Sequence, residues 1–147
     1  MDLDDPSLEC CYLAANGGHL ETLVWVREHG CPWNEWVCSS AAMGGHLETL
    51  RWAREHDCPW DKLTTQHAAR FGHLEVLRWA REHGCPWDEE TCWSAARGGH
   101  LEVLVWAREH NCPWDCRTRS NAESAIICGE TGNHREVLAW LDEQGAE

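Results

Sequence analysis

Ten cysteines, ten histidines and eleven tryptophans in 147 residues are the side chains with chemical potential in this chain. His29 and Cys31 form a His-x-Cys pair that recurs at 56/58, 83/85 and 110/112, and Cys38 and Cys92 lie a few residues after their Cys-Pro-Trp. Soft ligands at a regular step could hold zinc, which needs four donors within about 2.3 Å of one point. The same thiols could instead make a redox-responsive set. Packed helices sit about 8 to 10 Å apart, so equivalent cysteines of successive copies are too distant to share one ion. A free cysteine on a helical face is otherwise a small hydrophobe. Packing is therefore the first reading of these cysteines and a zinc-binding or redox-responsive array the second, with Cys10, Cys11, Cys112 and Cys116 as the candidate reactive thiols.

His19, His46, His73 and His100 stand at a constant step of 27 residues, each after a glycine. A catalytic row would need a nucleophile at one fixed partner position, and no Ser, Thr or Cys singles itself out in that way. A histidine beside a glycine turn at a helix start is expected to hydrogen-bond the backbone of the adjacent turn. Trp25, Trp52, Trp79, Trp106 and Trp140 share the period of the core leucines, which predicts a buried or half-buried ladder rather than an aromatic cage. Neither an enzyme nor a cofactor site is expected.

What must position these residues is a repeated unit. The sentence GHLEVLRWAREHGCPW at 72–87 is spoken four times, with a looser fifth copy from Gly132 whose His134 lies 34 residues after His100. Units this short cannot bury an apolar face alone and must stack. Each reads as two short helices. Ser7, Asn34, Asp61 and Asp88 stand at one register as N-caps, since their side chains accept a backbone N–H. The pairs Ala14-Ala15, Ala41-Ala42, Ala68-Ala69 and Ala95-Ala96 let a neighbouring helix approach closely. After a glycine turn the second helix carries its apolar residues at a three-to-four spacing, as Leu47, Leu50 and Ala53 show. It stops at Gly30, Asp57, Gly84, Asn111 or Gly145, residue types that tolerate the left-handed conformation, and four of the five stops are followed by Cys-Pro. The fourth-to-fifth junction is seven residues longer, which predicts an insertion at 115–121 and a helix restarting on a Ser120/Glu123 capping box. The units are 7–33, 34–60, 61–87, 88–114 and 115–147, one array spanning 1–147.

Composition narrows the partners. A net charge of −13 with Lys62 as the single lysine argues against nucleic acid, whose phosphates need a basic patch. No apolar run approaches the roughly 20 residues of a membrane span, and MDLDDPSLEC has none of the regions of a signal peptide. An intracellular, cytoplasmic protein with reduced thiols is expected.

Written as helix, glycine turn, helix and left-handed stop, the chain resembles the ankyrin repeat. Leu74 to Gly84 aligns without gaps on that family's leucine-rich second helix, and Ala-Ala-x-x-Gly-His matches at 41–46 and 95–100. Gly145-Ala146-Glu147 is close to the family's Gly-Ala-Asp ending. The family's Thr-Pro-Leu-His motif is absent, and each step is short by about the length of the β-hairpin finger, for which only 115–121 has room. This Trp- and Cys-rich short form is similar to arrays of giant DNA viruses and some protists, which would place it in a host cytoplasm. The resemblance implies an all-α, ankyrin-like solenoid of about five stacked helix-turn-helix repeats largely lacking fingers. It also aligns Cys31 with a buried alanine and Cys38 with a buried leucine.

The resemblance further implies a monomeric, non-catalytic scaffold that holds an unidentified protein partner on its first helices. On those helices the positions that change between copies fall at i, i+4 and i+8: Tyr12 and Asn16 after Leu8; Glu35, Ser39 and Met43; Lys62, Gln66 and Arg70; Glu89, Trp93 and Arg97. Exposed Tyr12, Met43 and Trp93 are expected to supply affinity, and the charged members register.

Overall fold

A computed structural model describes residues 6–145. It forms five helix pairs: α1 (Pro6–Asn16) with α2 (Leu20–Glu28), α3 (Glu35–Gly44) with α4 (Leu47–Glu55), α5 (Lys62–Arg70) with α6 (Leu74–Glu82), α7 (Glu89–Gly98) with α8 (Leu101–Glu109), and α9 (Cys116–Ile127) with α10 (His134–Glu143). No strand occurs among the described residues, and no helix there is long and apolar enough to cross a membrane. Each helix is about three turns, too short to persist alone in water. Stability has to come from stacking.

Asn34, Asp61 and Asp88 cap where the sequence puts them, and Asp115 caps at the same register. The side chains of Asn34, Asp61, Asp88 and Asp115 each accept the backbone N–H two residues on. The Ser7 side chain and residues 146–147 lie outside the described residues. At the other end, Gly84 takes φ +82°, Asp57 +61° and Asn111 +64°. The next residue, Cys58, Cys85 or Cys112, folds its N–H back onto Ala53, Ala80 or Ala107, the six-to-one bond of a left-handed helix stop. The first helices end alike, with the N–H groups of His19, His46, His73 and His100 on Ala14, Ala41, Ala68 and Ala95.

The first helices stack in a row, α1 on α3, α3 on α5, α5 on α7 and α7 on α9, whereas the second helices pack chiefly on their own partners. The Ala-Ala pairs are buried throughout and make the close inner row possible. Leu23, Leu50, Leu77, Leu104 and Leu141 are fully buried beneath it, each worth about 1.5 to 3 kcal/mol of transfer free energy.

Neighbouring repeats are strapped together by the glycine-histidine turn. The His73 Nε2–H donates to the Met43 carbonyl at 3.0 Å, and the His134 Nε2–H to the Arg97 carbonyl at 2.8 Å. Each bond crosses from one repeat to the end of the preceding first helix. The imidazole needs room, and the preceding turn provides it: a Cβ on Gly45 would lie 2.5 Å from the His73 ring, and one on Gly72 2.6 Å from the His100 ring. Burial, ahead of the neighbouring charges of His73, His134 and Arg70, holds His100 below its ordinary value of 6.5 and keeps the ring neutral. An unfolded chain then binds the proton first, so this contribution to stability is complete above that value and is lost as pH falls through it.

The extra seven residues do not form a finger at 115–121. Asp115 caps α9 in register, α9 runs straight through that stretch, and Ser120 Oγ donates to the Cys116 carbonyl instead of capping. The helix simply continues to Ile127, stops at Gly129 (φ +69°), and the surplus loops through 130–133. His134 still reaches its strap position. A good local cap at Asp115 outcompetes a later one because it lets a whole turn of helix join the stack.

Gly45→Ala meets both a left-handed backbone and the His73 ring, whereas Gly84→Ala meets the backbone penalty alone, with nothing within 4 Å of its Cβ. Urea unfolding should show a loss of about 1 kcal/mol for Gly84→Ala and about 3 kcal/mol for Gly45→Ala.

Candidate partner-binding surface

The first-helix stripes point less to solvent than their spacing suggests. Their middle members face the next repeat. Tyr12 is half-buried and its hydroxyl donates to the cap side chain of Asn34 at 3.2 Å; Gln66 is buried and its Nε2 donates to the cap carboxylate of Asp88 at 3.2 Å. Ser39 is fully buried with its hydroxyl on the Trp36 carbonyl, and Trp93 is half-buried with a buried indole N–H. Leu8 is buried as well. A step of i+4 overshoots a full turn by about 40°, so a stripe winds across the flank where the neighbouring helix packs. Ser39 and Gln66 are therefore interior residues and are not available to a partner, and Tyr12, Met43 and Trp93 are half-buried where exposed side chains were expected.

The outer members reach the surface, several of them already paired. Lys62 is exposed and its ammonium lies 2.7 Å from Asp88 and 3.7 Å from Glu90. Glu89 is half-buried and 3.4 Å from Arg117. Arg70 and Arg97 each place a guanidinium nitrogen 2.9 Å from one of the two carboxylate oxygens of Glu130, which the 130–133 loop carries over the ends of α5 and α7. Asn16 is exposed, while Glu35 and Met43 are half-buried. Ion pairs this exposed are screened by solvent, so they tune the surface more than they hold it.

On a neighbouring stripe, at 9/13, 36/40, 63/67 and 90/94, Glu9, Leu13 and Trp36 are exposed while Ser94 is buried. Leu13 is 63% and Trp36 38% exposed, and the Trp36 ring lies 6.5 Å from that of His67 in the next repeat. These positions differ between copies as much as the chosen ones do, Glu9, Trp36, Leu63 and Glu90 being equivalent. The signal was present in the same internal comparison.

The cysteines hold each repeat closed, and the tryptophans join one repeat to the next. Cys58, Cys85 and Cys112 are buried, and each thiol donates to the carbonyl of its own repeat's cap residue at 3.3 to 3.5 Å. Cys38 and Cys92 are buried with their thiols directed at the carbonyls of Cys58 and Cys112. Thr65 replaces them in the third repeat and bonds the Pro86 carbonyl at 3.0 Å, which is what a hydrogen-bonding role requires. Burial pushes the Cys85 thiol up to about 12; hydrogen bonding to the partner cysteine, then burial, raises Cys38 and Cys112. Cys31 is half-buried. Among the described residues no three His, Cys, Asp or Glu side chains converge as metal ligands.

Trp33, Trp60, Trp87 and Trp114 meet Trp52, Trp79, Trp106 and Trp140 edge-on at 5.8 to 6.0 Å. Arg27, Arg54, Arg81 and Arg108 cover the first four rings at 4.2 to 4.4 Å. The ladder is half-buried as its period predicts, except that Trp25, met by no such ring, is 58% exposed.

Of the four candidate reactive thiols, Cys10 and Cys116 are exposed but Cys11 and Cys112 are buried, and Cys128, on no repeat position, is exposed too. Maleimide labelling of the native chain, mapped by mass spectrometry, should modify Cys10, Cys116 and Cys128 fast and Cys58, Cys85 and Cys112 only after denaturation.

No curated protein matches the sequence. Residues 38–81, from α3 to the end of α6, match the family model for ankyrin repeats (many copies). The same 27-residue step continues on both sides of the matched segment, in stacked helix pairs, so the chain is an all-α solenoid of ankyrin-like repeats.

Proposed function

We propose that the chain is a non-catalytic scaffold that seats a protein partner on its first-helix surface, in the reducing interior of a cell. Ankyrin repeats are generally protein–protein interaction modules and typically not enzymes. The observation that carries the face is the pairing of a uniform stack with a non-uniform skin. The inner row is held by the same Ala-Ala pairs in its first four copies, while the side chains that reach solvent differ from copy to copy and include apolar Leu13 and Trp36. Aromatic and methionine side chains are enriched at interfaces, and Trp36 and Met43 lie on one helix here.

The contact set is Leu13, Asn16, Glu35, Trp36, Met43, Lys62, Glu89, Trp93 and Arg97, with Arg70 and Arg97 positioned by Glu130. Tyr12, Ser39 and Gln66 support it from within. The histidines supply a further reason against catalysis: the described ring hydrogen bonds of His29, His56, His67, His73, His83, His110 and His134 all run to backbone carbonyls.

A partner captured from lysate on the immobilised chain and then purified should bind Trp36→Ala/Met43→Ala at least about tenfold more weakly than wild type, with the helical circular dichroism unchanged. Equal affinity for the two would refute the first-helix surface.

A further inference from the structure

The second helices stand apart where the first helices touch, and this opens grooves on the opposite surface. One of them, about 690 Å³, runs across α6, α8 and α10. Its floor is apolar, formed by Leu74, Leu101, Val105 and Trp106, and its rim carries Glu102, Glu109 and Glu136. All three glutamates are exposed. Arg78 is the one cation among the lining residues, and it is shared with Glu75 at 3.6 Å.

The repeats themselves show why this groove differs from its neighbours. The position of Val105 is Val24 in α2, Arg51 in α4 and Arg78 in α6, and the two guanidinium groups sit 5.7 and 6.0 Å from the ring of the following repeat's Trp79 and Trp106. In α8 the cation is replaced by an apolar side chain. The substitution removes a second positive charge, so Arg78, over the Trp106 ring, faces the three rim carboxylates as the one cation of the lining. The groove is left with an apolar base and unbalanced carboxylates at both ends of α8.

We infer that the α6–α8–α10 groove binds a short basic segment of a partner protein, an apolar side chain on Leu101, Val105 and Trp106 flanked by lysine or arginine opposite Glu102, Glu109 and Glu136. The surface is separate from the first-helix contact set and does not depend on it. Complementary charge brings such a segment in and fixes its register, while the apolar contact excludes peptides that carry charge alone.

The test is fluorescence anisotropy on the full chain with a fluorescein-labelled twelve-residue peptide of repeated lysine-leucine-lysine. The groove predicts saturable binding that weakens with salt. It should weaken at least about tenfold in Glu102→Gln/Glu109→Gln/Glu136→Gln and in Val105→Arg, and at most about twofold in Glu9→Gln/Glu21→Gln/Glu28→Gln, which changes net charge equally but elsewhere. Exposed Glu→Gln changes leave the fold intact, so the first variant decides even if Val105→Arg is unstable. No binding to wild type, equal weakening by the distant triple change, unchanged affinity of the groove variants, or equally tight binding of an all-lysine peptide would overturn the inference.

Discussion

Everything in this array depends on the contact between one repeat's imidazole and the preceding repeat's turn. A ring N–H from the start of the second helix satisfies a carbonyl at the end of the previous first helix, where orphaned acceptors accumulate. At His73 it can do so only because Gly45 stands where any side chain would occupy the ring's place. The glycine also takes the left-handed conformation that turns the chain. Local turn geometry and long-range stacking are thus the same constraint, met by a Gly-His dipeptide in the first four repeats.

That economy explains why residues with chemical potential do structural work here. Histidine, cysteine and tryptophan recur because each closes a contact that recurs: ring to carbonyl between repeats, thiol to cap carbonyl within a repeat, and ring edge to ring face along the outer ladder. The third repeat is instructive, since threonine takes the cysteine position there and keeps the bond to the turn. A position that keeps its hydrogen bond while exchanging sulfur for oxygen is accounted for by packing. The surfaces left for recognition are those where the copies disagree, Trp36 and Met43 on the first helices and Val105 on the second.

Much of the fold was legible because caps, stops and small-residue pairs are local signals that recur four times. The stop residues Asp57 and Asn111 were readable from residue type alone, and both take positive φ. The insertion was misplaced because two caps, Asp115 and Ser120, compete within one turn, and stacking rather than local chemistry chooses between them. The surface was partly misread for a related reason. Internal comparison finds positions that vary, but a side chain that varies can still face a neighbour, as Gln66 and Ser39 do. Which flank of a helix is covered depends on how closely the next one packs, and that is not written in any single repeat. The ties of Arg70 and Arg97 to Glu130 span 60 and 33 residues and leave no periodic trace.

Coupling between repeats rests on the strap, and His73→Ala in the middle of the array tests it most directly. Urea unfolding followed by tryptophan fluorescence should lose about 2 kcal/mol or more, through an unmet buried carbonyl and a cavity against Gly45. The transition should also broaden as the repeats on either side uncouple. A loss below about 0.5 kcal/mol with an unchanged slope would show that neighbouring repeats are held by helix packing alone.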